Sequence, residues 1–325
     1  MKIGKVSELM LTRSVLKNIT SKNGKVQEKP NAGSDCGVTV IAGTNVGMAT
    51  SGIVDYSEDD VEFYTFYRAY NSMMAAGYRP VSMMINLILP VDGKEKNIKE
   101  IEKRYDELCR KHNMQICGGH TQFSKNVNKI ITSVTIMGEQ FTRFDDIIKK
   151  DSQLSLVMTK AMGIEGTAIV SKDREDILRK RFNGRFCDQC LDFKKYISIE
   201  KEAMVAAEFG AVRMHDVSGG GVFAAIWELA GALGKGVEAD LRAIPVWQET
   251  IEVTEVFGMN PYKMVSQGSL LIATYDGDGL VEALGSRDIP ATVIGVFTDN
   301  NDKVLINNDE KRFLDSPRGD DIYQM

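Results

Sequence analysis

The chain has 325 residues, of which 43% are hydrophobic, and its 45 acidic and 40 basic residues give a net charge of −5. This length and apolar content suit about two folded domains and exclude a wholly disordered chain. The acidic balance argues against nucleic acid as the main partner.

Cysteine usage and the N-terminus indicate the compartment. The five cysteines are odd in number and irregularly spaced, and the opening "MKIGKVSELMLTRSVL" is too polar and charged for a signal peptide. No apolar run approaches the roughly 18 residues that a membrane span needs. We therefore expect a reduced, cytoplasmic protein that does not bind membranes.

The first half of the chain alternates predicted helices and strands, which is typical of an α/β or α+β layer domain. The spacing of Ile98, Ile101, Tyr105 and Leu108 predicts an amphipathic surface helix. The predicted elements are a helix over 61–76, a strand over 80–91, a helix over 94–112, a short loop "CGGHTQ" at 117–122 and a strand over 129–139.

The polar stretch 140–153 is the best domain boundary, which predicts domains 1–150 and 151–325. The second half repeats the plan of the first. Its predicted elements are strands at 154–160 and 166–171, a helix over 199–209, a glycine loop with its own helix, and strands at 268–274, 291–297 and 303–307.

The glycine loop lies in "RMHDVSGGGVFAAIWELAGALG" at 213–234. Gly219, Gly220 and Gly221 suit a positive φ or close approach to the main chain, and the apolar spacing after them predicts a helix. The N–H groups at a helix N-terminus favour a phosphate, and Asp216 is a candidate ligand for the accompanying cation. In the alternative, Ser218 caps the helix and Asp216 binds nearby amides.

The stretch "CGGHTQ" is a second candidate site. Gly118 and Gly119 would let the backbone approach a ligand, while Thr121 and Gln122 offer polar contacts. His120 suits phosphate polarisation or acid–base work near neutral pH. A structural histidine that binds a carbonyl is an equal alternative. We expect the other loop histidine, His215, to orient its neighbour rather than react.

Two further motifs carry weaker signals. Asp35 in "NAGSDCGVTV" precedes a strand, where a carboxylate can ligate magnesium. Cys187 and Cys190 form a C-x-x-C, the pattern of half a zinc site or a redox pair. Because no second pair accompanies them and their surroundings look helical, we interpret both as helix cysteines of modest burial.

Six stretches together resemble the aminoimidazole ribonucleotide synthetase superfamily, in the branch similar to the hydrogenase maturation dehydratase. They occur in the family's order and span nearly the whole chain: "AYNSMMAAGYRPVSMMINLILP", "CGGHTQ", "MGIEGTAIVS", "RMHDVSGGGVFAAIWELA", "NPYKMVSQGSLLIAT" and "SPRGDDIYQM".

The resemblance implies a two-domain PurM-like fold that combines α/β and α+β. It implies an N-terminal α/β domain that forms a β-barrel-like dimer interface, a C-terminal α+β domain and a homodimer. ATP and Mg²⁺ would bind in a cleft, with phosphoryl activation of an oxygen in a small substrate. The implied contacts are Asp35 and Asp216 on the metal, Asp216 and His120 in catalysis, and Asp35, Asn71, Gly118, Gly119, His120, Thr121, Gln122, Ser218, Gly219, Gly220 and Gly221 on the nucleotide.

Departures from the family pattern concern mainly the metal. Gly52 and Ser72 stand where the family usually has metal carboxylates, which would weaken magnesium binding because hard cations depend on charged oxygens. Asp55 lies three residues from Gly52. Gln122 replaces a frequent glutamate, and the closing "PRGDDIYQM" lacks the dehydratase's C-terminal cysteine.

Three hypotheses follow. The first is an ATP-dependent enzyme that phosphorylates a small carbonyl, carbamoyl or amide-like substrate. The second is a catalytically weakened homodimer that binds a nucleotide or metabolite in a regulatory or scaffold role, supported by Gly52 and Ser72. The third, redox or zinc chemistry at Cys187 and Cys190, requires metal in the protein.

Overall fold

The computed structural model describes residues 3–27, 30–31, 33–34, 36–54, 58–144, 153–317 and 319–324. The chain divides into two compact units. The smaller unit comprises 22–29 and 35–141, and the larger unit comprises 1–21, 30–34 and 142–325. The N-terminal segment, with helix α1 (Glu8–Ser14), therefore belongs with the second half of the chain, unlike the expected single boundary at residue 150.

The smaller unit is built on one mixed sheet with two helices. Its strands are β1 (Gly37–Ile41), β2 (Thr44–Thr50), β3 (Tyr78–Pro90), β4 (Gln115–Ser124) and β5 (Ile131–Gln140), and its helices are α2 (Val61–Ala75) and α3 (Glu95–Lys111). The strand order is β1-β2-β5-β3-β4. Only β3 and β4 run parallel, because the crossover helix α3 joins them. Helix α2 contacts β2, β3 and β5 and buries Phe66, Tyr70 and Met73.

Residues 117–122 form part of strand β4, so the predicted short loop is wrong. Parallel pairing with β3 gives this stretch regular backbone partners: Gly118 lies opposite Met84, and His120 lies opposite Asn86. A Cβ atom at Gly119 would overlap the carbonyl oxygen of Ile85. Strand packing therefore explains the glycine at 119 without a ligand.

The sheet of the smaller unit is open, with β1 and β4 at its two edges. Within the described ranges, no closed barrel forms from one chain. Every residue of β4 is exposed or half-exposed. Val81, Met84 and Phe123 on β3 and β4 are 47%, 44% and 51% exposed. The unit thus presents an unpaired strand edge beside apolar side chains, a combination that other chains readily cover.

The larger unit contains a seven-stranded sheet of order β12-β11-β8-β10-β6-β9-β7. Only β8 and β11 are parallel neighbours. The strands are β6 (Ser155–Thr159), β7 (Arg213–Asp216), β8 (Gly236–Asp240), β9 (Leu270–Thr274), β10 (Ala291–Thr298), β11 (Lys303–Asn307) and β12 (Glu310–Phe313). The helices are α4 (Ile164–Asp173), α5 (Glu175–Arg181), α6 (Gly184–Leu191), α7 (Glu200–Phe209), α8 (Gly221–Leu233), α9 (Gln248–Phe257) and α10 (Gly277–Gly285).

The core of the larger unit lies around the central strands and α8. All five residues of β9 are buried, so both faces of the sheet are covered there. Val222, Ile226 and Leu229 of α8 pack into this core. The glycine loop before α8 is thereby held on a well-packed base. No helix in the described ranges is both long and apolar enough to cross a membrane.

Residues 166–171 lie in helix α4, so the predicted strand at this position is wrong. All eight residues from Ile164 to Ser171 are buried. A helix that is buried on every side needs no amphipathic period, and its short apolar run, here residues 168–170, then resembles a buried strand. The predicted helices over 61–76, 94–112 and 199–209 are confirmed, as are the strands that begin near 80, 129, 154, 268, 291 and 303.

Candidate functional site

The glycine loop connects β7 to α8 at the N-terminus of a 13-residue helix, as predicted. Gly220 and Gly221 have φ values of +84° and +68°, which favour glycine. A Cβ atom at Gly221 would lie 2.5 Å from the carbonyl oxygen of Tyr262, whereas a Cβ at Gly219 would meet nothing within 4 Å. Gly221 is therefore required by packing, and Gly219 borders open space.

A carboxylate from the C-terminal tail caps this helix. Asp320 Oδ2 accepts the Gly220 N–H at 2.7 Å, and Asp320 Oδ1 accepts the N–H groups of Val265 and Ile322 at 3.1 and 3.0 Å. The N-cap residue is Gly220, with no side-chain cap, so the alternative in which Ser218 caps the helix is wrong. The loop binds an anion, and in this structure the anion is part of the chain.

Asp216 lies at the base of the loop and is 1% exposed. Gln267 Nε2 donates to Asp216 Oδ2 at 2.7 Å, and the Gln267 backbone N–H donates to Glu165 Oε2 at 3.1 Å. Two buried carboxylates thus bind one glutamine, which fixes the position of Asp216. Asp216 therefore does bind an amide, as the alternative proposed, but that amide belongs to the side chain of Gln267, 51 residues away in the chain.

His215 directs its side chain to a partner that sequence spacing did not indicate. His215 Nε2 lies 3.1 Å from Glu228 Oε2, and Lys5 Nζ lies 2.5 Å from Glu228 Oε1. Burial alone would raise the pKa of Glu228, but the hydrogen bond from His215 and the charge of Lys5 outweigh it and lower that pKa. The glutamate is therefore ionised and ties the N-terminal segment to α8.

In the smaller unit, the sequence-predicted residues 118–122 lie together on the exposed edge strand β4. His120 Nε2 lies 3.0 Å from Gln122 Oε1, because residues two apart in a strand share a face. Asn71, by contrast, is fully buried in α2 and is not part of this exposed surface.

Of the two predicted metal residues, Asp35 and Asp216, only Asp216 lies in the part of the chain that the structure describes. Asp35 and Asp55 lie outside the described residues. Ser72 donates its hydroxyl to the carbonyl oxygen of Arg68 at 2.9 Å. Among the described residues there is no group of three or more His, Cys, Asp or Glu side chains that fits a metal ion.

Cys187 and Cys190 lie in helix α6, as predicted. Their burial is not modest, since they are 2% and 0% exposed. Burial raises the pKa of Cys190 to about 12, so its thiol is protonated and unreactive at neutral pH.

Sequence reasoning missed four side chains that shape the loop and its surroundings: Lys5, Glu228, Gln267 and Asp320. Glu228 lies 13 residues from His215, and the pairings with Lys5, Gly220 and Asp216 span 51 to 223 residues of the chain. Local motifs carry no signal for such pairs. Glu228, Gln267 and Asp320 fall within stretches that the resemblance had marked, whereas Lys5 does not.

Comparison with known families and curated proteins covers most of the chain. "AIR synthase related protein, N-terminal domain" matches residues 33–140, and the corresponding C-terminal domain matches residues 154–307. A candidate hydrogenase expression/formation protein of Methanocaldococcus jannaschii is 23% identical over an alignment of 334 positions, gaps included. The alignment covers 98% of this chain and 96% of the relative. The carbamoyl dehydratase HypE of Cupriavidus necator is 23% identical over 259 residues, which cover 75% of this chain and 70% of HypE.

Solved structures share the fold over nearly the full length. ThiL complexed with AMPPCP and TMP gives a TM-score of 0.73 at 17% identity and covers 98% of both chains. HypE in complex with ATP gives a TM-score of 0.68 at 16% identity and covers 98% of this chain and 97% of HypE. Together with the matching domains and the two mixed-sheet units, these similarities show that the chain belongs to the AIR synthase-related family and has its two-domain PurM-like fold.

Proposed function

We propose that this chain is an ATP-dependent enzyme that phosphorylates a small carbonyl, carbamoyl or amide-like substrate. The observation that carries the proposal is the glycine loop, with a buried carboxylate, Asp216, at its base and open space at Gly219. Backbone donors at a helix N-terminus bind phosphate, and a fixed carboxylate beside them can orient the reacting groups.

The structure limits where a phosphate would meet the loop. The N–H of Gly220 already donates to Asp320. Gly219 has no atom within 4 Å of the position of a Cβ, so a ligand can reach its main chain. We therefore assign Gly219 the closest approach to phosphate, with Ser218 beside it and the positive end of the α8 dipole behind it.

In the smaller unit, we propose a separate ligand contact at β4. His120 is exposed and hydrogen-bonded to Gln122, so it can exchange protons with a bound ligand. Gly118, Gly119 and Thr121 accompany it on the same strand. Asn71, which is fully buried, is the predicted nucleotide contact that the structure supports least.

No step of the proposed reaction is assigned to a metal. Asp216 and Asp35 are the proposed Mg²⁺ ligands, but Asp35 lies outside the described residues and Asp216 is bound by Gln267. The relatives support nucleotide use: one neighbour is HypE in complex with ATP, another is ThiL with AMPPCP and TMP, and a curated relative is a carbamoyl dehydratase.

Isothermal titration with ATP and magnesium tests this function. We expect a dissociation constant of about 1 mM or tighter, and at least about tenfold weaker magnesium-dependent binding in Asp216→Asn, a loss of roughly 1.4 kcal/mol. The asparagine keeps an oxygen for Gln267, so the fold should remain intact. The exposed helix residue Asp278, changed to Asn, is the matched control. Absence of nucleotide binding at millimolar concentration would refute the proposal.

A second candidate is a catalytically weakened homodimer that binds a nucleotide or metabolite. The engagement of Asp216 by Gln267, together with Gly52 and Ser72, supports it. ATP turnover that depends on Asp216 would remove this candidate.

A further inference from the structure

A cavity of about 430 Å³ in the larger unit lies between the N-terminal segment and helix α8. Its size is within the range of small-molecule sites, about 300–1,000 Å³. Gly219 and Gly220 of the glycine loop are among its lining residues. The cavity therefore adjoins the position that we assign to the reacting phosphate.

The charges on the cavity wall are not balanced. Three cations, Lys5, Arg213 and Lys303, and two anions, Glu8 and Glu228, line it. Glu228 pairs with Lys5 at 2.5 Å, whereas Glu8 keeps its negative charge and accepts the neutral indole N–H of Trp227 at 2.6 Å.

Arg213 and Lys303 then outnumber the one remaining carboxylate of the wall, Glu8, by one charge. Both are half-buried, and neither forms an ion pair with any residue that the structure describes. The ammonium of Lys303 instead lies 4.6 Å from the ring centroid of Trp227. Half-buried cations without counter-ions are costly, and a bound anion would neutralise them.

Much of the remaining wall is apolar, with Thr12 and Asn31 as its uncharged polar side chains. Val6, Leu11 and Leu16 of the N-terminal segment line the cavity, as does the indole of Trp227. An occupant therefore needs an apolar or planar body as well as an acidic group. Inorganic phosphate alone would leave this surface uncovered.

We infer that this cavity binds the phosphoryl acceptor and that the acceptor is a small organic anion, with a carboxylate or phosphate group held by Arg213 and Lys303. This inference rests on the proposed function for the role of acceptor. The binding itself requires neither ATP nor metal, which allows the two to be tested separately.

Trp227 provides a direct readout. The chain has two tryptophans, so Trp247→Phe leaves Trp227 as the only indole. Trp247 packs against Phe193 and Tyr196, where a phenyl ring is a conservative replacement. In this background, benzoate, phenyl phosphate and neutral benzamide are titrated without nucleotide or magnesium, with Trp227 fluorescence as the signal.

We expect saturable binding of at least one anion and not of benzamide. The tighter of benzoate and phenyl phosphate identifies the acidic group. Arg213→Met and Lys303→Met should each weaken binding about tenfold, the usual loss for a hydrogen bond to a charged group. Lys303→Arg should retain binding, and the matched control Lys235→Met, which removes a cation paired with Asp299 outside the cavity, should leave it unchanged.

Absence of anion binding at about 10 mM, a concentration weaker than any useful site requires, would overturn the inference. Equal binding of benzamide, or unchanged anion affinity in both methionine variants, would also overturn it. Complete displacement of the probe by ATP would assign the cavity to the nucleotide and overturn it as well. A protein that binds ATP by calorimetry but no anionic probe retains the proposed function and loses this inference. A protein that binds an anionic probe but no ATP retains the anion-binding cavity and loses the proposed ATP-dependent function.

Discussion

The carboxylate of Asp320 accepts the backbone N–H of Gly220 at 2.7 Å, although 100 residues separate the two in the chain. The same side chain accepts the N–H groups of Val265 and Ile322. One aspartate near the end of the chain therefore fixes the N-terminus of α8, the segment before β9 and its own turn.

Asp320→Ala should lower the free energy of unfolding by about 2–3 kcal/mol, because three backbone donors lose a charged acceptor. Denaturant titration measures this loss. Asp315→Ala, an exposed carboxylate in the same tail, is the control and should change stability by less than about 0.5 kcal/mol. Equal stability of the two variants would show that the Asp320 contacts are incidental.

The two loop glycines should respond differently to the same substitution. Gly219→Val places its side chain in open space, so ATP affinity should fall about tenfold with little change in stability. In Gly220→Val, the valine would have to adopt a φ of +84°, and its Cβ would lie 2.8 Å from the Cβ of Ala224. The free energy of unfolding should therefore fall by about 2 kcal/mol. Calorimetry with ATP and circular dichroism separate the effects. Parental ATP affinity in Gly219→Val would mean that the loop is only a turn.

We predict a homodimer that pairs through the open edge at β4. Phe123 is 51% exposed on this strand, and a charge there should oppose its burial. Light scattering at micromolar concentration should give a dimer for the parent and a monomer for Phe123→Glu. Phe313→Glu, at a 72% exposed position on β12, should stay dimeric. A monomeric parent, or a dimeric Phe123→Glu, would contradict this interface.

Stability should depend on the charge of Glu228. The pKa of Glu228 is lowered from the ordinary value of 4.5. Its contribution to the free energy of unfolding is therefore fully present above pH 4.5 and disappears as the pH falls through the lowered pKa. At pH 7, Glu228→Gln should lower the free energy of unfolding by about 1–2 kcal/mol, since Lys5 and His215 lose a charged partner. The difference from the parent should shrink below pH 4.5.

Urea titrations at pH 7 and pH 4 measure this dependence. Glu238→Gln is the control, because Glu238 pairs with Lys311 at a more exposed position. A Glu228→Gln deficit that is equal at both pH values would show that packing, not charge, is responsible.

Sequence patterns predicted the elements whose period or boundary is locally encoded. The face formed by Ile101 and Tyr105 is buried in α3, and the glycine loop leads into α8 with positive φ values at Gly220 and Gly221. The errors fall where tertiary context decides. Residues 166–171 are buried on every side of a helix, and 117–122 form a strand because β3 lies beside them.

The candidate site was only partly predictable for the same reason. Asp216 and Gly219 stand in one motif, so their proximity follows from the sequence. Gln267, which binds Asp216, and Asp320, which caps the loop, come from other parts of the fold. Hydrogen bonds between distant segments leave no periodic trace, and the charge on the cavity wall depends on pairings such as Lys5 with Glu228.

The pairing of Lys5 with Glu228 spans 223 residues. During synthesis, the N-terminal segment leaves the ribosome first but has no docking surface until α8 has emerged. The smaller unit, which lies between these two parts of the chain, is complete earlier. The smaller unit should therefore fold first, and the cavity should be among the last features to form, because its two walls come from opposite ends of a discontinuous unit.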